Sequence, residues 1–146
     1  MEATFRHTAA VSIAVLVAAL SATALAAQNT PSVKLARSCT RDPARTAACQ
    51  LIVEFFEAAN RGRYGRACSL LGERLLRETG GPNCPKWLAY AGKRRFQVMR
   101  ARTASAGVEV LVQVELPELD HSRMLGWWAL VSPEAGRLKI IETRRA

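Results

Sequence analysis

From Asp42 onward the hydrophobic positions first recur at helical spacing. Ala48, Leu51, Ile52, Phe55, Phe56 and Ala59 fall on one side, with Glu54 and Glu57 on the other. Asp42 is suited to cap this helix and Pro43 to occupy its first position, while Asn60-Arg61-Gly62 ends it. A second helix is expected from Tyr64 to about Arg77, turning Ala67, Leu70, Leu71 and Leu75 inward, with Thr79-Gly80-Gly81-Pro82 as its stop. A third, over 83–92, carries Trp87, Leu88 and Tyr90.

After Gly92 the period changes to two. Phe96 and Val98 begin a strand and Ala104 to Gly107 form a turn. Val108, Val110, Val112, Val114 and Leu116 then alternate with Glu109, Gln113 and Glu115. Pro117 to Ser122 connect to Met124–Val131, which is apolar on both faces and reads as a central strand. Ser132 to Gly136 make a further turn, and Leu138, Ile140 and Ile141 form the closing strand. Helices followed by an antiparallel meander make an α+β domain, its N-terminal helices packed on a curved sheet. Residues 27–42 read as a polar tether and residues 43–146 as this domain.

Upstream, Ala9 to Ala27 are uncharged, follow a short segment bearing Arg6, and contain the small-residue pattern Ala24-Leu25-Ala26. This is the layout of a signal peptide over residues 1–26, cleaved after Ala26 or Ala27, and it implies a secreted or extracytoplasmic protein. The alternative is an uncleaved N-terminal membrane anchor. Removing this segment takes one Arg and one Glu, so the net charge of +9 is unchanged.

The four cysteines, Cys39, Cys49, Cys68 and Cys84, all lie beyond it, and an even count in an exported chain favours disulfides. Three connectivities are open. Cys68–Cys84 is favoured because each adjoins a predicted helix, which leaves Cys39–Cys49. No CxxC pair occurs and His121 is far from the cysteines in sequence, so neither a metal nor another cofactor is expected.

The segment Asn60-Arg61-Gly62-Arg63-Tyr64-Gly65-Arg66-Ala67-Cys68-Ser69-Leu70-Leu71 resembles the opening helix pair of the nuclear-transport-factor-2-like superfamily, whose cone shares the cystatin-like fold label. There a helix ends in a pattern like N-x-G-x-Y-x-x-A-x-x-L-L. The small exported bacterial members pair a Cys just after that Ala with one shortly downstream, which implies Cys68 with Cys84. The superfamily's enzymes, which include isomerases, dehydratases and polyketide cyclases, use an Asp or His base inside the cone. Membership of such a fold does not decide chemistry.

Candidate chemistry is sparse. A general base must come from Asp120-His121, from Glu115 or from a carboxylate of the first helix, and Asp120-His121 reads as a solvated turn. No catalytic residue is assigned. Tyr64, Trp87, Trp127 and Trp128 are candidates to line a pocket. Trp127 and Trp128 point to opposite sides of their strand, the outer ring having Leu111, Leu125 or Ile141 beside it as a homodimer face or apolar ligand site. Lys93, Arg94, Arg95, Arg100 and Arg102 are candidate anion ligands, with an anionic polymer, a membrane surface or an acidic protein as partner. Nucleic acid is disfavoured, because no recognition motif is present and aromatic residues do not interleave with the basic stripe. The expected function is a secreted or cell-surface non-catalytic binding module. Its rival is a small isomerase, dehydratase or cyclase acting on a hydrophobic molecule.

Overall fold

A computed structural model describes residues 34–116 and 123–146. The signal-peptide segment, residues 27–33 of the expected tether and the connection 117–122 with Asp120-His121 lie outside the described residues. Among the described residues, four helices, α1 (Pro43–Asn60), α2 (Tyr64–Ser69), α3 (Glu73–Glu78) and α4 (Cys84–Ala91), precede four strands, β1 (Phe96–Ala104), β2 (Gly107–Leu116), β3 (Arg123–Glu134) and β4 (Arg137–Arg145). The fold is therefore α+β, with one antiparallel sheet in the order β1-β2-β3-β4. None of the described helices is long and apolar enough to cross a membrane.

Helix α1 starts as its sequence dictates: the Asp42 side chain accepts the Arg45 amide at 2.8 Å and Pro43 holds the first turn. The helix buries Ala48, Ile52 and Ala58 in the core. The described part of the expected tether is not loose. Leu35 and Ala36 pack on the core, a 3-10 helix spans Arg37–Thr40, and the Ala101 amide donates to Ser38 Oγ at 2.9 Å.

The second helix departs from the sequence-based expectation of one element running to about Arg77. It breaks after Ser69, because Leu70 to Gly72 pair with β4. Gly72 N–H donates to the Ile140 carbonyl at 2.7 Å and Ile140 N–H to the Leu70 carbonyl at 2.9 Å, forming a parallel bridge at Leu71. These bonds occupy part of the otherwise open edge of β4, and an edge strand left bare is a liability. Gly72 permits the approach, since a Cβ there would sit 3.0 Å from Ile141 Cγ2 and 3.3 Å from Ile141 Cα. The next helix, α3, takes its N-terminal partner from across the fold: the Glu73 amide donates to the Glu134 carboxylate at 3.0 Å.

In the sheet, Val110, Val112 and Val114 of β2 face the helices, as their alternation predicts, and are buried. Register places Trp127 opposite Val112 and Trp128 opposite Leu111, so the two indoles lie on opposite faces. Leu125 pairs with Val114 and belongs to the inner face, not beside Trp128 as expected. Ile141, the other suggested neighbour, lies against Gly72. Strand β3 runs on to Glu134, and the hairpin to β4 is the two-residue turn Ala135-Gly136, with φ of 50° and 75°. Two positive φ values in a two-residue loop match the right-handed twist of the strands, which is why the turn is shorter than the expected Ser132 to Gly136. Register shifts bend the strands at two places: β1 carries the extra residue Met99 between Val98 and Arg100, and β4 carries the extra residue Ile141 opposite Leu130 and Val131.

Both disulfides form as the sequence favoured. Cys39–Cys49 fastens the 3-10 helix to α1, and Cys68–Cys84 fastens α2 to α4, with Cα separations of 6.0 and 6.1 Å. All four cysteines are buried. Two buried disulfides are consistent with an extracytoplasmic location.

Candidate functional site: an apolar cavity between helices and sheet

Between the helices and the sheet lies a cavity of about 430 Å³ that is open to solvent on one side. That volume lies within the range of small-molecule sites. Its walls come from several elements. Helix α1 supplies Ile52, Phe55 and Phe56, β2 supplies Val112 and Val114, and Trp127 of β3 and Leu88 of α4 face them. The aromatic wall is ordered by its own packing: Phe56 stacks on Phe96 with centroids 4.8 Å apart and meets Phe55 edge-on at 5.2 Å. Exposed Trp87, Gly92 and Thr143 mark its rim.

Besides the indoles of Trp87 and Trp127, the described residues with polar side chains that line this cavity are Asn60, Thr79, Arg94 and Thr143. Two are already engaged. Thr79 donates its hydroxyl to the Leu75 carbonyl at 2.7 Å. The Asn60 carboxamide donates to the Arg94 carbonyl at 2.8 Å and accepts from the Arg94 amide at 2.9 Å. Thr143 is at the exposed rim. Arg94 is half-buried, and no carboxylate among the described residues pairs with its guanidinium.

The carboxylates considered as bases are elsewhere. Glu54 pairs with Arg66, whose Nε donates at 2.8 Å, and Glu57 pairs with Arg61 at 3.5 Å. Glu115 sits on the outer face of β2 and meets Arg95 at 3.6 Å. Among the described residues no carboxylate or imidazole lines the cavity, and no group of three His, Cys, Asp or Glu is placed to hold a metal ion.

The four aromatic candidates separate. Trp87 and Trp127 line the cavity. Tyr64 packs against the core. Trp128 lies on the outer face beneath two guanidinium groups, Arg102 at 4.2 Å and Arg144 at 5.8 Å from its ring centre. Both arginines also bond to Glu109, Arg144 at 2.8 Å and Arg102 at 2.6 Å. These bonds, that from Arg144 first and that from Arg102 second, hold the Glu109 carboxyl below the ordinary glutamate range.

The basic candidates separate as well. Arg100 and Arg102 share the outer face of β1, opposite Leu111 and Glu109, but Arg102 is engaged as described and Arg95 faces Glu115. Lys93 is exposed, whereas Arg94 belongs to the cavity. Sequence reasoning grouped Arg94 with the surface stripe and did not find Asn60, Phe55 or Phe56 as cavity residues. The helical stripe through Phe55, Phe56, Ala59 and Asn60 was the available signal.

Helices laid over an antiparallel sheet, with an apolar cavity between them, define a small α+β domain. No protein-family model matches the chain, and no curated protein matches it. Among solved structures, it is similar to an NTF2-like protein of unknown function from Cytophaga hutchinsonii, with 13% sequence identity and a TM-score of 0.43. That similarity covers 67% of this chain and 88% of the other.

Proposed function

We propose that this domain is a non-catalytic binding module that holds a small apolar molecule in the cleft between its helices and sheet. The observation that carries the reading is the composition of the cavity: about 430 Å³ walled by Ile, Leu, Val, Phe and Trp, with Asn60 and Thr79 already hydrogen-bonded within the protein. Apolar walls with few convergent polar groups favour an apolar ligand by removing its surface from water. The rival isomerase, dehydratase or cyclase needs a base directed at the substrate. The described lining offers none, which favours the binding reading.

The module works outside the cytoplasm on this reading. The uncharged Ala9–Ala27 segment with its Ala24-Leu25-Ala26 pattern acts as an export signal, and the disulfides persist where thiols are oxidised.

Titration with the neutral solvatochromic dye Nile red tests the binding reading. Saturable one-to-one binding with blue-shifted emission is expected. Ala91→Trp and Ala59→Phe, which place bulk at two points of the lining, should abolish or strongly weaken it. Absence of saturable binding to the folded protein, or binding indifferent to both variants, overturns the reading.

A further inference from the structure

Resting on that reading, we infer that the natural ligand is a single-chain amphiphile with an anionic head, its apolar chain in the cavity and its head at Arg94. Arg94 is the one charged residue among the described lining, and the same lining holds no acid to neutralise it. Its backbone is held on both sides, the carbonyl and amide each bonded to Asn60, so the root of the side chain is fixed before any ligand arrives. A cation on an apolar wall acts in a lower dielectric than one facing bulk water, so its preference for an anion is stronger there. The guanidinium also matches a carboxylate or phosphate in two parallel hydrogen bonds.

The surroundings agree in sign. Lys93 and Arg95 flank Arg94 in sequence, and the neighbouring carboxylate, Glu115, is on the outer face against Arg95. A cationic ligand would meet uncompensated positive charge. A neutral apolar ligand would leave the guanidinium without a charged partner. An alkyl chain with an anionic head satisfies the apolar wall and the cation together.

Calorimetric titration with decanoate, decanol and decyltrimethylammonium, each below its micellar concentration, tests the assignment. Decanoate should bind about tenfold or more tightly than decanol, the strength expected of hydrogen bonds to a charged group. Lengthening the carboxylate should raise affinity about fourfold per methylene until the cavity is filled. Arg94→Gln should erase the preference for decanoate over decanol, and Arg94→Lys should restore part of it. These variants keep the Asn60 bonds, which involve only the Arg94 backbone, and urea unfolding of each beside the parent checks that the fold is retained. Equal binding of decanoate and decanol, preference for the cation, or a preference that survives Arg94→Gln overturns the anionic head while leaving the apolar cavity standing. Failure of all three ligands and of Nile red overturns both readings.

Discussion

The carboxamide of Asn60, the last residue of α1, is bonded twice to the backbone of Arg94, 34 residues later in the chain. One side chain thereby sets the position at which the chain leaves α4 and enters β1. It also places Arg94 on the cavity wall.

Replacing Asn60 with Ala should therefore cost about 1 to 3 kcal/mol, because a partly buried N–H and C=O lose their partners together. Asn60→Asp keeps an acceptor for the amide but loses the donor to the carbonyl, and it should also destabilise. Urea unfolding of the two variants beside the parent checks this. A change within experimental error in both would show that the segment is held by other contacts.

The two disulfides close loops with sequence separations of 10 and 16 residues. Loop-closure entropy gives each about 3 kcal/mol of stabilisation. Cys39→Ser with Cys49→Ser, and Cys68→Ser with Cys84→Ser, should each lower the unfolding free energy by that order. Since the cysteines are buried, the native protein should resist reductant until it unfolds. Thiol trapping followed by mass measurement reads this directly, and rapid reduction under native conditions would contradict it.

The Glu109 cluster makes a pH dependence of defined sign. Its carboxyl titrates lower in the folded protein than in the unfolded chain, held down by Arg144 and Arg102. The stabilisation is therefore present above the ordinary glutamate range and is lost as pH falls through it. Stability measured from about pH 6 down to about pH 3 should fall less steeply in Glu109→Gln than in the parent. Parallel curves would show that the cluster does not contribute.

Two glycines with positive φ should respond very differently to alanine. At Gly107, where φ is +149°, a Cβ would lie 2.2 Å from the Val131 carbonyl oxygen, so the strand pairing itself must give way. Gly107→Ala should cost more than about 4 kcal/mol or prevent folding. At Gly62, with φ of +73°, a Cβ meets nothing within 4 Å. The cost of Gly62→Ala should be limited to the left-handed backbone, about 1 to 2 kcal/mol. Soluble yield and urea midpoints of the two variants distinguish these cases.

The proposed export can be checked directly at the N-terminal segment. Cleavage at the small-residue pattern predicts a mature N-terminus at Ala27 or Gln28. N-terminal sequencing of the extracytoplasmic protein reads it, and an intact Met1 there would favour the anchor alternative.

Much of the architecture follows from local sequence, because the information is local. Asp42-Pro43 starts α1 through a hydrogen bond three residues long, and the strict alternation from Val108 to Val114 determines which face of β2 is buried. The cysteines beside predicted helices were paired correctly, since short loops bring few alternatives into range. Tertiary structure decided what depends on distant partners. The break between α2 and α3 exists because Leu70 to Gly72 bond to Ile140, a competitor no helical period reveals. Leu125 turns inward because its register with Val114 requires it. The cavity is the space left where helices and bent sheet do not fill one another, and no single segment encodes that volume. Arg94 was legible as a basic residue in a basic run; only the bond to Asn60 across the fold made it part of the apolar site.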